Sequence, residues 1–140
     1  MDSRLLDLKR AFDAQCRKLE AGDGYASWFK TSPAHDGSPH IELTGDTFHF
    51  VVTERGSEFE RRQTKDSDVV LYWLMSGVTS DMALKFELRN RKPEEDFRRQ
   101  YFAEQERLLR VLRGDWADAF AERIRGILKE HPFSDPGEPR

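Results

Sequence analysis

Apolar positions change period along this chain, and the changes mark its elements. Leu5, Leu8, Phe12, Cys16 and Leu19 recur at helical spacing, which predicts a helix over residues 3–20 capped by Asp2 or Ser3. Gly22, Asp23 and Gly24 stop it, and Tyr25 to Phe29 form a short apolar patch suited to one docking helical turn. Residues 31–39 read as a loop rich in Pro, Gly, Ser and Asp. The period then drops to two. Ile41 and Leu43 alternate with His40, Glu42 and Thr44, and Phe48, Phe50 and Val52 alternate with Thr47, His49, Val51 and Thr53. Gly45-Asp46 and Arg55-Gly56 are the turns between these strands and a third over 57–64.

Two-residue loops at both turns set the register. Residue 43 then faces 48, 41 faces 50, and 52 faces 59. Ile41, Leu43, Phe48, Phe50, Val52 and Phe59 fall on one face; Glu42, His49, Glu58, Glu60 and Arg62 fall on the other, with Val51 among them. A three-residue loop would move Phe59 to the polar face. Arg55 is a poor residue for a left-handed position, so a turn with only Gly56 at positive φ, or a bulge, stays open.

Beyond residue 65 the pattern is helical. Asp66 caps a helix over 67–76 that is apolar nearly all round, as befits the middle of a core, and Gly77 ends it. A second helix starts at Thr79 or Ser80 and runs to about Arg91. Pro93 opens a third, from about 94 to 113, with Phe97, Tyr101, Leu108 and Leu112 inward. The last, about 115–130, presents Trp116, Phe120, Ile124, Ile127 and Leu128 and stops before Pro132. Residues 134–140 read as a flexible tail behind a single domain over 1–133. The expected class is α+β: an N-terminal helix, a three-stranded antiparallel meander, then four helices packed on one sheet face.

Composition narrows the function classes. In 140 residues, 37% are hydrophobic and 35% charged, with a net charge of −3, which gives no bulk attraction to nucleic acid or anionic membrane. One cysteine, Cys16, excludes an intramolecular disulfide and a multi-cysteine metal site. No apolar leader opens the chain and no run is long enough for a membrane span, so the expectation is a cytoplasmic protein without a membrane partner.

Candidate chemistry is sparse. His40 and Glu42 share one strand face, and His49 lies opposite Glu42; a carboxylate beside an imidazole suits acid–base or metal chemistry, and a small hydrolase or metal-dependent enzyme using these three is the rival reading. Glu42 opposite His49 is as easily an exposed cross-strand pair. No nucleophile elbow and no glycine-rich phosphate loop is present, and neither a cofactor nor a catalytic or metal-binding residue is assigned. Acidic residues crowd predicted helix starts and basic ones helix ends, as the helix dipole favours. Arginines at 61, 62, 98, 99, 107, 110 and 113 are offset by Glu94, Glu95, Asp96, Glu104 and Glu106, against a nucleic-acid surface. Trp73 reads as a core anchor; exposed, it would mark an interface. A homo-oligomeric scaffold or regulatory module, built on an open sheet edge or an aromatic patch, is a further alternative.

Several segments in order resemble a bacterial immunity-protein family, immunity protein 63. They are Gly37-Ser38-Pro39-His40-Ile41-Glu42, Phe48-His49-Phe50-Val51-Val52 with Glu54-Arg55-Gly56, Arg61-Arg62 with Thr64, and Leu71-Tyr72-Trp73. The series continues through Ala83, Glu87-Leu88, Arg91, Asp96-Phe97-Arg98-Arg99 with Phe102, Trp116, Ile127-Leu128 and His131-Pro132-Phe133, covering about 37–133. The resemblance implies a small α+β protein encoded beside a secreted polymorphic toxin, whose partner is the toxin's C-terminal domain and which inhibits by occlusion without chemistry of its own. Glu42, His49, Arg55, Glu58, Glu60 and Arg62 are then the candidates for toxin contact. Glu54, Gly56, Trp73, Glu87, Arg91, Phe97, Arg98 and Trp116 are candidates for structural roles, and Arg55, Arg62, Glu87, Arg91 and Arg98 for a charge network tying sheet to helices.

Overall fold

The computed structural model describes residues 1–20 and 22–137. Its order is α1 (Ser3–Cys16), a 3-10 helix (Gly22–Trp28), β1 (Asp36–Thr44), β2 (Thr47–Glu54), β3 (Ser57–Thr64), α2 (Ser67–Arg89), α3 (Arg98–Leu112) and α4 (Gly114–Glu130). The chain is α+β. It divides into two compact units, Met1–Met75 and Ser76–Arg140. No helix among the described residues is long and apolar enough to cross a membrane.

In the first unit the Asp2 carboxylate caps α1 by accepting from the Arg4 N–H at 2.8 Å. Leu8, Phe12, Cys16 and Leu19 are buried, as their spacing requires, and Phe12 meets Phe29 with ring centroids 5.9 Å apart. The sheet is an antiparallel meander in the order β1-β2-β3. Leu43 pairs with Phe48 and Ile41 with Phe50, so the first turn has the two-residue loop.

The second turn also has two residues, with Glu54 opposite Ser57. Both central residues are left-handed, Arg55 at φ 52° and Gly56 at φ 81°, the geometry that matches the twist of a hairpin. Glycine takes that conformation freely, whereas Arg55 carries a strain of about 1 kcal/mol. Two positions further the register shifts: Thr53 faces Glu58 but Val52 faces Glu60. Phe59 is the extra residue of a β-bulge and is 67% exposed. The expected pairing of 52 with 59, and the inward Phe59, are therefore corrected. An inserted residue inverts the facing of everything beyond it. Arg62 comes to lie opposite Phe50 and Arg61 opposite Val51.

The break expected at Gly77 is absent, so among the described residues three helices follow the sheet rather than four. Gly77 lies exposed inside α2, flanked by buried Leu74, Met75, Val78 and Thr79. Burial on both sides outweighs the ~1 kcal/mol a glycine costs in a helix interior. Asp66 caps the helix as expected, accepting from the Asp68 N–H at 2.9 Å.

In the second unit, Gln105 is buried and its amide donates to the Ser76 carbonyl at 3.0 Å and to Thr79 Oγ1 at 3.3 Å. Only Arg113 separates α3 from α4, and the two pack on each other. Trp116, Ala117 and Phe120 are the buried residues of α4, and the Arg113 guanidinium lies 4.3 Å from the Trp116 ring centre. The third helix starts at Arg98, not near Pro93, and Phe97 is half exposed rather than inward. Asp96 explains the late start. Its carboxylate accepts from the N–H of Arg98 at 3.0 Å and from that of Ser134 at 3.0 Å, while its own N–H donates to Asp135 at 2.8 Å. Arg98 also donates to the carbonyls of His131 and Pro132, both at 2.8 Å. The expected tail is thus tied down at Ser134 and Asp135; its last residues, 138–140, lie outside the described ones.

Candidate functional site

The polar sheet face is built in rows. Val51 stands between His40 and Arg61, and His49 stands between Glu42 and Gln63. Glu58, opposite Thr53, is on the same side. Arg61 is the hub. Its Nε and Nη2 donate to both oxygens of Glu58 at 2.7 and 3.0 Å. Its Nη1 donates to Glu42 Oε1 at 3.2 Å and to His49 Nδ1 at 2.9 Å. The second Glu42 oxygen is 2.7 Å from His40 Nε2. Four groups from three strands are thereby fixed around one guanidinium.

The electrostatics follow from these bonds. Hydrogen bonds from His40, then Arg61, hold the Glu42 carboxyl below its ordinary value, and the bond from Arg61 does the same for Glu58. The two carboxylates in turn push the Arg61 guanidinium up. Since a guanidinium only donates, His49 Nδ1 accepts, and its ring proton sits on Nε2. His40 likewise keeps its proton on Nε2, facing Glu42. Its other nitrogen, Nδ1, is buried, and the residue is 1% exposed.

That burial bears on the rival chemistry. A carboxylate-oriented imidazole resembles an acid–base dyad, but the nitrogen that would take a substrate's proton is the one no substrate reaches. Among the described residues no group of three His, Cys, Asp or Glu is arranged to hold a metal ion.

The other candidates are dispersed. Glu60 and Arg62 sit on the opposite face: Arg62 Nε is 3.0 Å from Glu60, and its guanidinium lies 4.5 Å from the Phe50 and 4.8 Å from the Trp73 ring centres. Trp73, half-buried, meets Phe50 edge-on at 5.9 Å, so it serves packing. Arg55 and Gly56 form the hairpin tip, with the Arg55 N–H bonded to the His35 carbonyl at 3.1 Å, and Glu54 is exposed beside them. Glu87 is buried and held by Arg91 through bonds of 2.6 and 3.2 Å. Arg98 is bound to Asp96 at 2.7 Å. Arg61 was the residue missed. Adjacent arginines on a strand point to opposite faces, so one of Arg61 and Arg62 had to face outward. Which one depended on the bulge.

A family model described as Immunity protein 63 matches residues 45–126, more than half of the chain. The chain belongs to this family. No curated protein and no solved structure matches it. As an Immunity protein 63 member it is assigned to toxin immunity, with a toxin as the implied partner. The matched span runs from the first turn into α4 and includes His49, Glu58 and the Arg61 hub. His40 and Glu42 on β1 precede it, as does α1.

Proposed function

We propose that this immunity protein silences its toxin by stoichiometric occlusion, without transforming any substrate. Family membership over residues 45–126 is the observation that carries the reading. The contact surface is the open part of the polar sheet face, where Glu42, His49 and Glu58 reach solvent, extended by the hairpin tip at Arg55. Glu60 and Arg62, turned the other way, are assigned to packing. A protein–protein interface of ordinary size buries ~1,600 Å² in total, more than these side chains supply, so the tip and the β3 residues on the same side as Arg61 belong to it as well. The partner is the C-terminal domain of a secreted toxin encoded beside this chain, met in the cytoplasm of the producing cell.

Co-expression tests this. The toxin domain from the neighbouring reading frame should arrest growth alone and be tolerated when this protein is made with it. Continued arrest at matched expression would refute the assignment.

A further inference from the structure

We infer that Arg61 is the positioning residue of the toxin-binding face, and that the face it organises receives a lysine or arginine side chain of the toxin domain. The inference rests on the proposed function and adds to it a residue and the chemistry of the contact.

Arg61 spends Nε and Nη2 on Glu58 and shares Nη1 between Glu42 and His49. Its side chain is 30% exposed, that of Glu42 38% and that of Glu58 44%, so the cluster stands open at the surface while its geometry is fixed from within. Free carboxylate side chains on a wet sheet sample many rotamers and lose that freedom on binding. Here the ordering is already present before the partner arrives. A lysine at 61 would provide one ammonium on a flexible stem and could not reproduce the planar fork that serves Glu58 with two parallel bonds.

Charge identifies the guest. Two ionised carboxylates, Glu42 and Glu58, face the single guanidinium of Arg61, so carboxylates outnumber the fixed cation two to one. Each carboxylate oxygen already accepts one bond from inside the sheet and has a second lone pair directed elsewhere. The complement is a cationic donor. Arg62 does not neutralise the cluster, because the bulge at Phe59 has sent it to the other face beside Glu60.

The test uses the full-length protein and the purified toxin domain of the neighbouring frame. Association is measured for wild type, Arg61→Lys, Arg61→Gln, Glu58→Gln and Glu60→Gln. Arg61→Lys and Arg61→Gln should each weaken affinity at least ~10-fold, most of it in dissociation. Glu58→Gln should slow association and flatten its salt dependence, and Glu60→Gln should match wild type. Nitrogen chemical shifts of His49 supply a readout that general loosening does not give: the Nε2–H tautomer in wild type, and a tautomer mixture in both Arg61 variants. Equal toxin affinity in wild type, Arg61→Lys and Glu58→Gln would overturn this inference while leaving the proposed function standing. A wild-type protein that does not bind the toxin domain would overturn both.

Discussion

Single side chains in this protein divide by what holds them. Cys16 is buried among apolar residues of α1, and desolvation first, then the charge of Asp13, pushes its thiol up to about 11. The folded protein should therefore resist thiol reagents at pH 8 and react at once when unfolded; equal labelling of both states would contradict the burial. The sign of the linkage is fixed. The folded thiol is the weaker acid, so its contribution is intact below the unfolded value of ~8.5 and is lost as pH rises through about 11. Asp96 behaves oppositely. Side-chain hydrogen bonds from Arg98 hold its carboxyl well below the usual range, so its stabilisation is present above pH ~3.9 and disappears as pH falls further. Asp96→Asn should cost about 3 kcal/mol, the low end for a broken buried pair because Arg98 reaches solvent, and should flatten the acid limb of the stability curve. Chemical denaturation at pH 7 and pH 3 reads both effects; an unchanged acid limb would show that another carboxylate governs it.

At the scale of elements the decisive feature is one inserted residue in β3. Because Glu58 and Glu60 already pair with Thr53 and Val52, deleting Phe59 should leave every other pair in place and shift stability little. Deleting Gln63 instead would turn Thr64 to the polar face. Hydrogen exchange of the β2 amides distinguishes the two: protection persists in the first variant and falls in the second. Both hairpin turns were legible, since Gly45-Asp46 and Arg55-Gly56 stand between alternating runs, and the β1–β2 register followed by arithmetic. The bulge was not legible. Period two survives an insertion in a strand as charged as Ser57–Thr64, where hardly any residue is apolar enough to declare its face. Phe59 was the sole marker, and it is the residue the bulge expels. The facing of β3 was misread for the same reason: Glu42, His49 and Glu58 do share one face, but Arg61 joins them there while Glu60 and Arg62 lie on the other. Gly77 misled differently, because a breaker inside a run buried on both sides is overruled by packing. Asp135, which ties the tail to Arg99 at 2.8 Å, gave no signal, being one acidic residue in a segment rich in Pro and Gly.

For the whole molecule, family membership assigns a role in toxin immunity. The net charge of −3 is small, and the local excess on the sheet face comes from arrangement, not composition. The proposed occlusion requires the protein to act mole for mole, so its most direct check is to titrate a fixed amount of the toxin domain with it while recording heat and residual toxin activity. One equivalent should saturate the heat and abolish the activity together, with the sheet-face variants shifting both curves alike. Loss of activity at a small fraction of an equivalent, or full activity in its excess, would contradict occlusion.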